Sequence, residues 1–93
     1  MLEKVKLALR ISHSYLDEDI LDTINIARAE MIRSGISKEK ANDDEDSLIV
    51  GAIKTFCKYQ FSSDNTRVEG FRISWEYQLD NLRKTDRYRA VGD

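Results

Sequence analysis

The chain has 93 residues, a length at the small end of the range for one domain, so a second independent core is excluded. Hydrophobic residues at 41% and charged residues at 34% exclude a disordered tail. A net charge of −2 excludes the global positive field that gathers nucleic acid by counterion release. With no proline, every periodic stretch is free to run as uninterrupted helix. A chain this short buries only somewhat more than ~60% of its unfolded surface, which makes added burial in an oligomer useful.

In chain order, Leu2, Val5 and Leu9 recur at helical spacing, widened by Ala8, and predict a short amphipathic helix. Met1 to Arg10 alternate charge with apolar residues, unlike a signal peptide, and no run approaches the ~20 apolar residues that span a bilayer, so no targeting or membrane segment is expected. Ser12, His13 and Ser14 break the pattern. Asp17 stands where a cap is needed, Glu18 and Asp19 suit a first turn, and Ile20, Ile24, Ala27 and Met31 form the core face of a second helix that Gly35 stops. Residues 36–46 are polar and charged, a loop with room for one helical turn. Ile49, Ala52, Ile53 and Phe56 then trace a third long helix, nearly apolar enough to be central. After the capping-rich break Ser62-Ser63-Asp64-Asn65, Val68, Phe71, Trp75, Leu79 and Leu82 trace a fourth. The expectation is an all-α, compact bundle of about four helices over residues 1–85, followed by a flexible C-terminal tail over 86–93. Its core is expected at Ile20, Ile24, Ala27, Met31, Ile49, Ile53, Phe56, Phe71, Trp75, Leu79 and Leu82.

Chemistry-bearing residues are few. His13 is the sole histidine, has no nucleophile motif beside it and reads as an interhelix loop residue. Cys57 is the sole cysteine, unable to form an intrachain disulfide; its apolar helical setting favours a packed thiol and fits a reducing, cytoplasmic folding environment. The run Asn42 to Asp46 has the composition of a hard-cation site but lacks the spacing and the distal glutamate of a calcium loop, so capping of the next helix is the better account. The four glycines are too dispersed for a phosphate-binding loop. No cofactor, metal or catalytic residue is expected, and the chain does not read as an enzyme. Phe71, Trp75 and Tyr77 with Arg72 have the residue types that stack on bases, yet Phe71 and Trp75 share the inward stripe. Arg83, Lys84, Arg87 and Arg89 concentrate positive charge near the end of the last helix, where cations also complement the helix dipole. Tyr88 is expected to be exposed there, as a protein contact.

The order of these elements carries a resemblance. Leu2-Glu3-Lys4-Val5-Lys6, Leu16-Asp17-Glu18-Asp19-Ile20 and Ile24-Asn25-Ile26-Ala27-Arg28-Ala29-Glu30 open the chain; Ile49-Val50-Gly51-Ala52-Ile53 leads to Tyr59 and Phe61; Phe71-Arg72-Ile73-Ser74-Trp75-Glu76-Tyr77-Gln78-Leu79 closes it. Over nearly its whole length this order resembles the gp6-like head-tail connectors of tailed bacteriophages and prophages, often labelled DNA-packaging or head-completion proteins. The resemblance implies a virion component assembled in the bacterial host cytoplasm, whose copies form a ring of about twelve under the portal protein. Such a ring extends the DNA channel, passes the duplex without specific binding, and offers a surface to a stopper or tail-completion protein. By position, the resemblance makes Arg87, Tyr88 and Arg89 the portal-contact candidates. Given such a ring, the charge balance suggests weak or repulsive walls that suit DNA transit, which makes Asp43, Asp44, Glu45 and Asp46 the channel-facing candidates, with basic and acidic patches of neighbouring copies pairing laterally. The alternative from a different class is a small helical DNA-binding or regulatory protein; a recognition helix for it is hard to find, because the third helix offers little beyond Lys54, Thr55 and Lys58.

Overall fold

Helix α1 (Leu2–Leu9) ends in a tight backbone cap, in which the Arg10 amide donates to the Leu7 carbonyl and the Ile11 amide to that of Lys6. That pattern needs a left-handed residue at Arg10, which has φ of 59°, a conformation glycine adopts at less cost. Helix α2 (Asp17–Arg33) ends the same way at Gly35, with φ of +112°, and the cap swings Ile36 back onto Met31, both fully buried. A four-residue helix, α3 (Lys38–Ala41), follows, capped by the Ser37 hydroxyl, and is the single turn anticipated in the polar loop. Asp46 caps α4 (Ser47–Phe61) by accepting from the Leu48 and Ile49 amides. Asp64 caps α5 (Asn65–Lys84) through the Thr66 amide. This computed structural model describes residues 1–90 of the chain.

Helix α4 is the central element, packing against α1, α2 and α5. It can do so because its apolar residues extend beyond one stripe: Ile49, Val50, Ala52, Ile53, Phe56 and Cys57 are all buried. From α2 the inward face is Ile20, Ile24, Ala27 and Met31, and from α5 it is Trp75 and Leu82. Trp75 meets Phe56 with ring centroids 4.8 Å apart and planes tilted by 57°, an aromatic contact that joins α5 to α4. Together these give an all-α bundle.

Several expectations need correction. Phe71 and Leu79 are half-buried, not interior: α5 packs chiefly on α4, so only a narrow stripe of it is covered. Asp17 does not cap α2. It is the first helical residue, and its carboxylate pairs instead with the Lys6 ammonium at 2.8 Å, a lysine only 7% exposed. Ile36, Ala41 and Tyr88 belong to the core although the periodicity did not mark them, and Val5, from the apolar stripe of the first helix, joins them there.

The chain after α5 is not free as far as Ala90. Asp86–Tyr88 forms one 3-10 turn and Ile36 and Arg89 pair as an isolated antiparallel bridge. The Ser37 amide donates to the Tyr88 carbonyl at 2.7 Å, and the Ala90 amide to that of Gly35 at 2.9 Å. One amide and one carbonyl of the α2–α3 corner, those of Ser37 and Gly35, are thereby satisfied. The rest of the expected tail, residues 91–93, lies outside the described residues.

Candidate assembly surfaces

Tyr88 organises one end of the molecule. Its ring is 1% exposed, and its hydroxyl donates to the Asp46 carboxylate, with oxygens at 2.9 and 3.0 Å. Two cations flank the ring, Lys40 Nζ at 5.5 Å and the Arg87 guanidinium at 4.9 Å from its centroid; Arg87 also donates to the Tyr88 hydroxyl at 3.1 Å. Tyr88 is therefore a buried tie between the C-terminal segment and the start of α4, and not the exposed contact expected of it. Arg87 and Arg89 are exposed; Arg89 pairs with Asp86 at 3.3 Å.

The acidic loop is equally bound into the fold. Asp46 caps α4, accepts from Tyr88 and lies 3.6 Å from Lys40. Burial pushes its carboxyl up, but hydrogen bonds from the Ile49 amide, the Tyr88 hydroxyl and the Leu48 amide, with the charge of Lys40, outweigh it and hold the group below the ordinary carboxylate value. Asp44 pairs with Arg28, and its carbonyl accepts from Lys4 at 2.9 Å. Asp43 accepts from the Glu45 amide and lies 3.8 Å from Lys40. Among the described residues, only Glu45 of this run has no cation within 4.0 Å of its carboxylate. The loop's first role is thus to join α1, α2, α3 and α4, and it presents less net charge than its sequence suggests.

The basic cluster near the C-terminus is dispersed in the same way. Arg83 and Lys84 both pair with Asp80, at 2.5 and 2.8 Å. These are exposed i,i+3 and i,i+4 pairs, which leave no concentrated positive face for phosphates. Cys57 is fully buried, and burial pushes its thiol up to about 12, suppressing the thiolate that nucleophilic chemistry needs. His13 lies exposed in the α1–α2 loop beside Tyr15. Among the described residues no group of three or more His, Cys, Asp or Glu side chains is placed to hold a metal ion, and no helix is long and apolar enough to cross a membrane.

What the surface offers instead is apolar side chains on several elements. Leu7, Tyr15, Leu21, Ile26, Leu48, Ile73 and Tyr77 are exposed, Tyr15 by 86%. Scattered exposed apolar groups are ordinary, but a domain this small that leaves so many uncovered is suited to burial by neighbours. Sequence reasoning missed this because several of them interrupt, and do not extend, the core stripes; Ile26 and Ile73 in particular sit off their helices' inward face.

Fold and surface together define a small all-helical module with apolar side chains left exposed on several of its helices. A family model described as "Phage connector protein" matches residues 1–85, and the chain belongs to that family. Neither the comparison with curated proteins nor that with solved structures returns a match.

Proposed function

We propose that this phage connector joins head to tail: its copies form a ring under the portal protein, extend the DNA channel, and offer their far surface to a stopper or tail-completion protein, without catalysing a reaction. The observation that carries the reading is membership of the connector family over residues 1–85. Two features of the molecule support it. Apolar side chains stay exposed on α1, α2, α4 and α5, as a subunit with several neighbours requires. Arg83, Lys84 and Arg89, three of the four cations near the C-terminus, are paired with carboxylates, which suits a conduit that lets duplex slide through.

Within this reading, Arg87 and Arg89 meet the portal while Tyr88 holds their segment in place, and Glu45 with the outer edges of Asp43 and Asp44 faces the channel. The test is to mix the purified protein with portal-bearing heads, pellet them and image the vertex by electron microscopy. A ring of added density at the portal is expected, and Arg87→Glu with Arg89→Glu should weaken it. Heads that stay bare at high protein concentration, with salt-dependent retention of duplex DNA by the protein, would replace the connector reading with a small DNA-binding regulator. A strongly basic lumen in the assembled particle would remove the channel assignment alone.

A further inference from the structure

A cleft of about 460 Å³ opens where the C-terminal end of α1, the C-terminal end of α4 and the first turns of α5 converge. Arg10, Lys58 and Arg67 line it, and among the described residues none of the three has a carboxylate oxygen within 4.0 Å. One acid, Asp64, is also in the wall, but its carboxylate is held by the Thr66 amide and hydroxyl at 2.9 and 2.6 Å. Leu9, Phe61 and Phe71 supply apolar surface, and the Arg67 guanidinium lies 5.5 Å from the Phe71 centroid. In a chain whose net charge is negative, this is a concave site with three cations outside any ion pair against one acid, on which the Arg67 charge also acts. Such a site takes carboxylates presented next to an apolar side chain. Duplex phosphates fit it less well, because three cations gathered in one small cleft cannot make the many spread phosphate contacts on which duplex affinity rests.

The complementary surface is on the same chain. Glu18, Asp19 and Asp22 are exposed on the first turns of α2 and form no ion pair among the described residues, whereas Asp17 is spent on Lys6. Glu18 and Asp22 are four residues apart and repel along the helix, a cost that the helix dipole offsets only in part and that an opposing cation would relieve. Exposed Tyr15 and Leu21 flank them. No residue of α2 lines the cleft, so the two surfaces are separate.

Building on the connector reading, we infer that the cleft of one copy receives the acidic first turns of α2 from a second copy, with Glu18 and Asp22 facing Arg10, Lys58 and Arg67 and an apolar neighbour seated against Phe61 or Phe71. Because donor and acceptor surfaces differ, the contact is head-to-tail and closes into a ring wherever its rotation permits.

The test uses the free full-length chain. With ¹⁵N-labelled protein, raising the concentration from micromolar to millimolar should shift amides at the cleft and at the start of α2 together. An acceptor variant (Arg10→Glu with Arg67→Glu) and a donor variant (Glu18→Lys with Asp22→Lys) should each lose the shifts, with self-association weakened about tenfold or more. All four positions are exposed, and unchanged Trp75 fluorescence verifies folding. Mixing the two variants should restore the shifts, since each supplies the surface the other then complements. No shifts at millimolar concentration, shifts confined to other surfaces, or failure of the mixture to restore them would overturn the assignment, as would cleft amides that respond to a short duplex DNA and not to the protein itself. Heads left bare by a wild-type chain that self-associates in this manner would sink the connector reading and leave this contact standing.

Discussion

Asp46 and Tyr88 are separated by 42 positions and meet through one hydroxyl shared between two carboxylate oxygens. A carboxyl held below its ordinary value contributes stability that is fully present above its unfolded pKa and is lost as pH falls through the folded one, since protonation gives up the hydrogen bonds that stabilise the anion. Tyr88→Phe keeps the ring and removes the donor, and should cost about 1–2 kcal/mol at neutral pH by urea unfolding. The difference between variant and wild type should shrink as pH falls through the folded pKa of Asp46, which lies below its ordinary carboxylate value. A difference that stays constant from neutral pH to the acid limit of folding would show that the bond to the carboxylate is not what Tyr88 contributes. Cys57 makes a simpler case. Buried, with its thiol pushed up to about 12, it should resist maleimide in the native state and react fully in denaturant; rapid native labelling would place it in an opening segment.

At the scale of elements, the joint between α1 and α2 rests on Lys6 and Asp17, one buried and the other partly exposed. The two partners should not be equivalent. Lys6→Met keeps the packing of the stem and removes the charge, with a change within about 1 kcal/mol expected, whereas Asp17→Ala strands a buried ammonium and should cost about 2–4 kcal/mol. Equal losses in thermal or urea unfolding would mean that the pair acts only as surface charge. Helix positions were legible wherever a stripe of apolar residues met a stop signal, as at Gly35 and Asp64. The Arg10 cap was not, because a left-handed arginine carries no sequence mark, and the docking of α5 was overestimated because Phe71 and Leu79 share its stripe while only Trp75 and Leu82 reach the interior.

On the whole-molecule scale, the C-terminal segment is part of the fold up to Ala90, so it does two jobs that a truncation would confuse. Deleting residues 86–93 should lower the melting temperature, because it removes a fully packed tyrosine together with the backbone partners of the Gly35 carbonyl and the Ser37 amide. Arg87→Ala with Arg89→Ala should leave melting, followed by circular dichroism and by Trp75 fluorescence, within a few degrees of wild type. A truncated chain as stable as the full one would show that the docked segment contributes nothing to the bundle. The acidic run at Asp43 to Asp46 makes the same point about legibility: its residue types were plain, but which of its charges remain available depends on Arg28, Lys40 and Tyr88, none adjacent to it in sequence.

What the sequence by itself determined was the all-α class, the three long helices, the short first helix and the core face of α2, because these follow from interactions within a few residues: periodic burial, caps and the absence of proline. It also carried the order of elements by which the connector family is recognised. Only the tertiary structure decided that Tyr88 is interior, that the acidic loop is largely neutralised, that Asp17 serves Lys6 and that three cations are left facing a common cleft. Each of these depends on which charges and amides meet after the helices have packed, and pairings over long sequence separations leave no local periodicity to read.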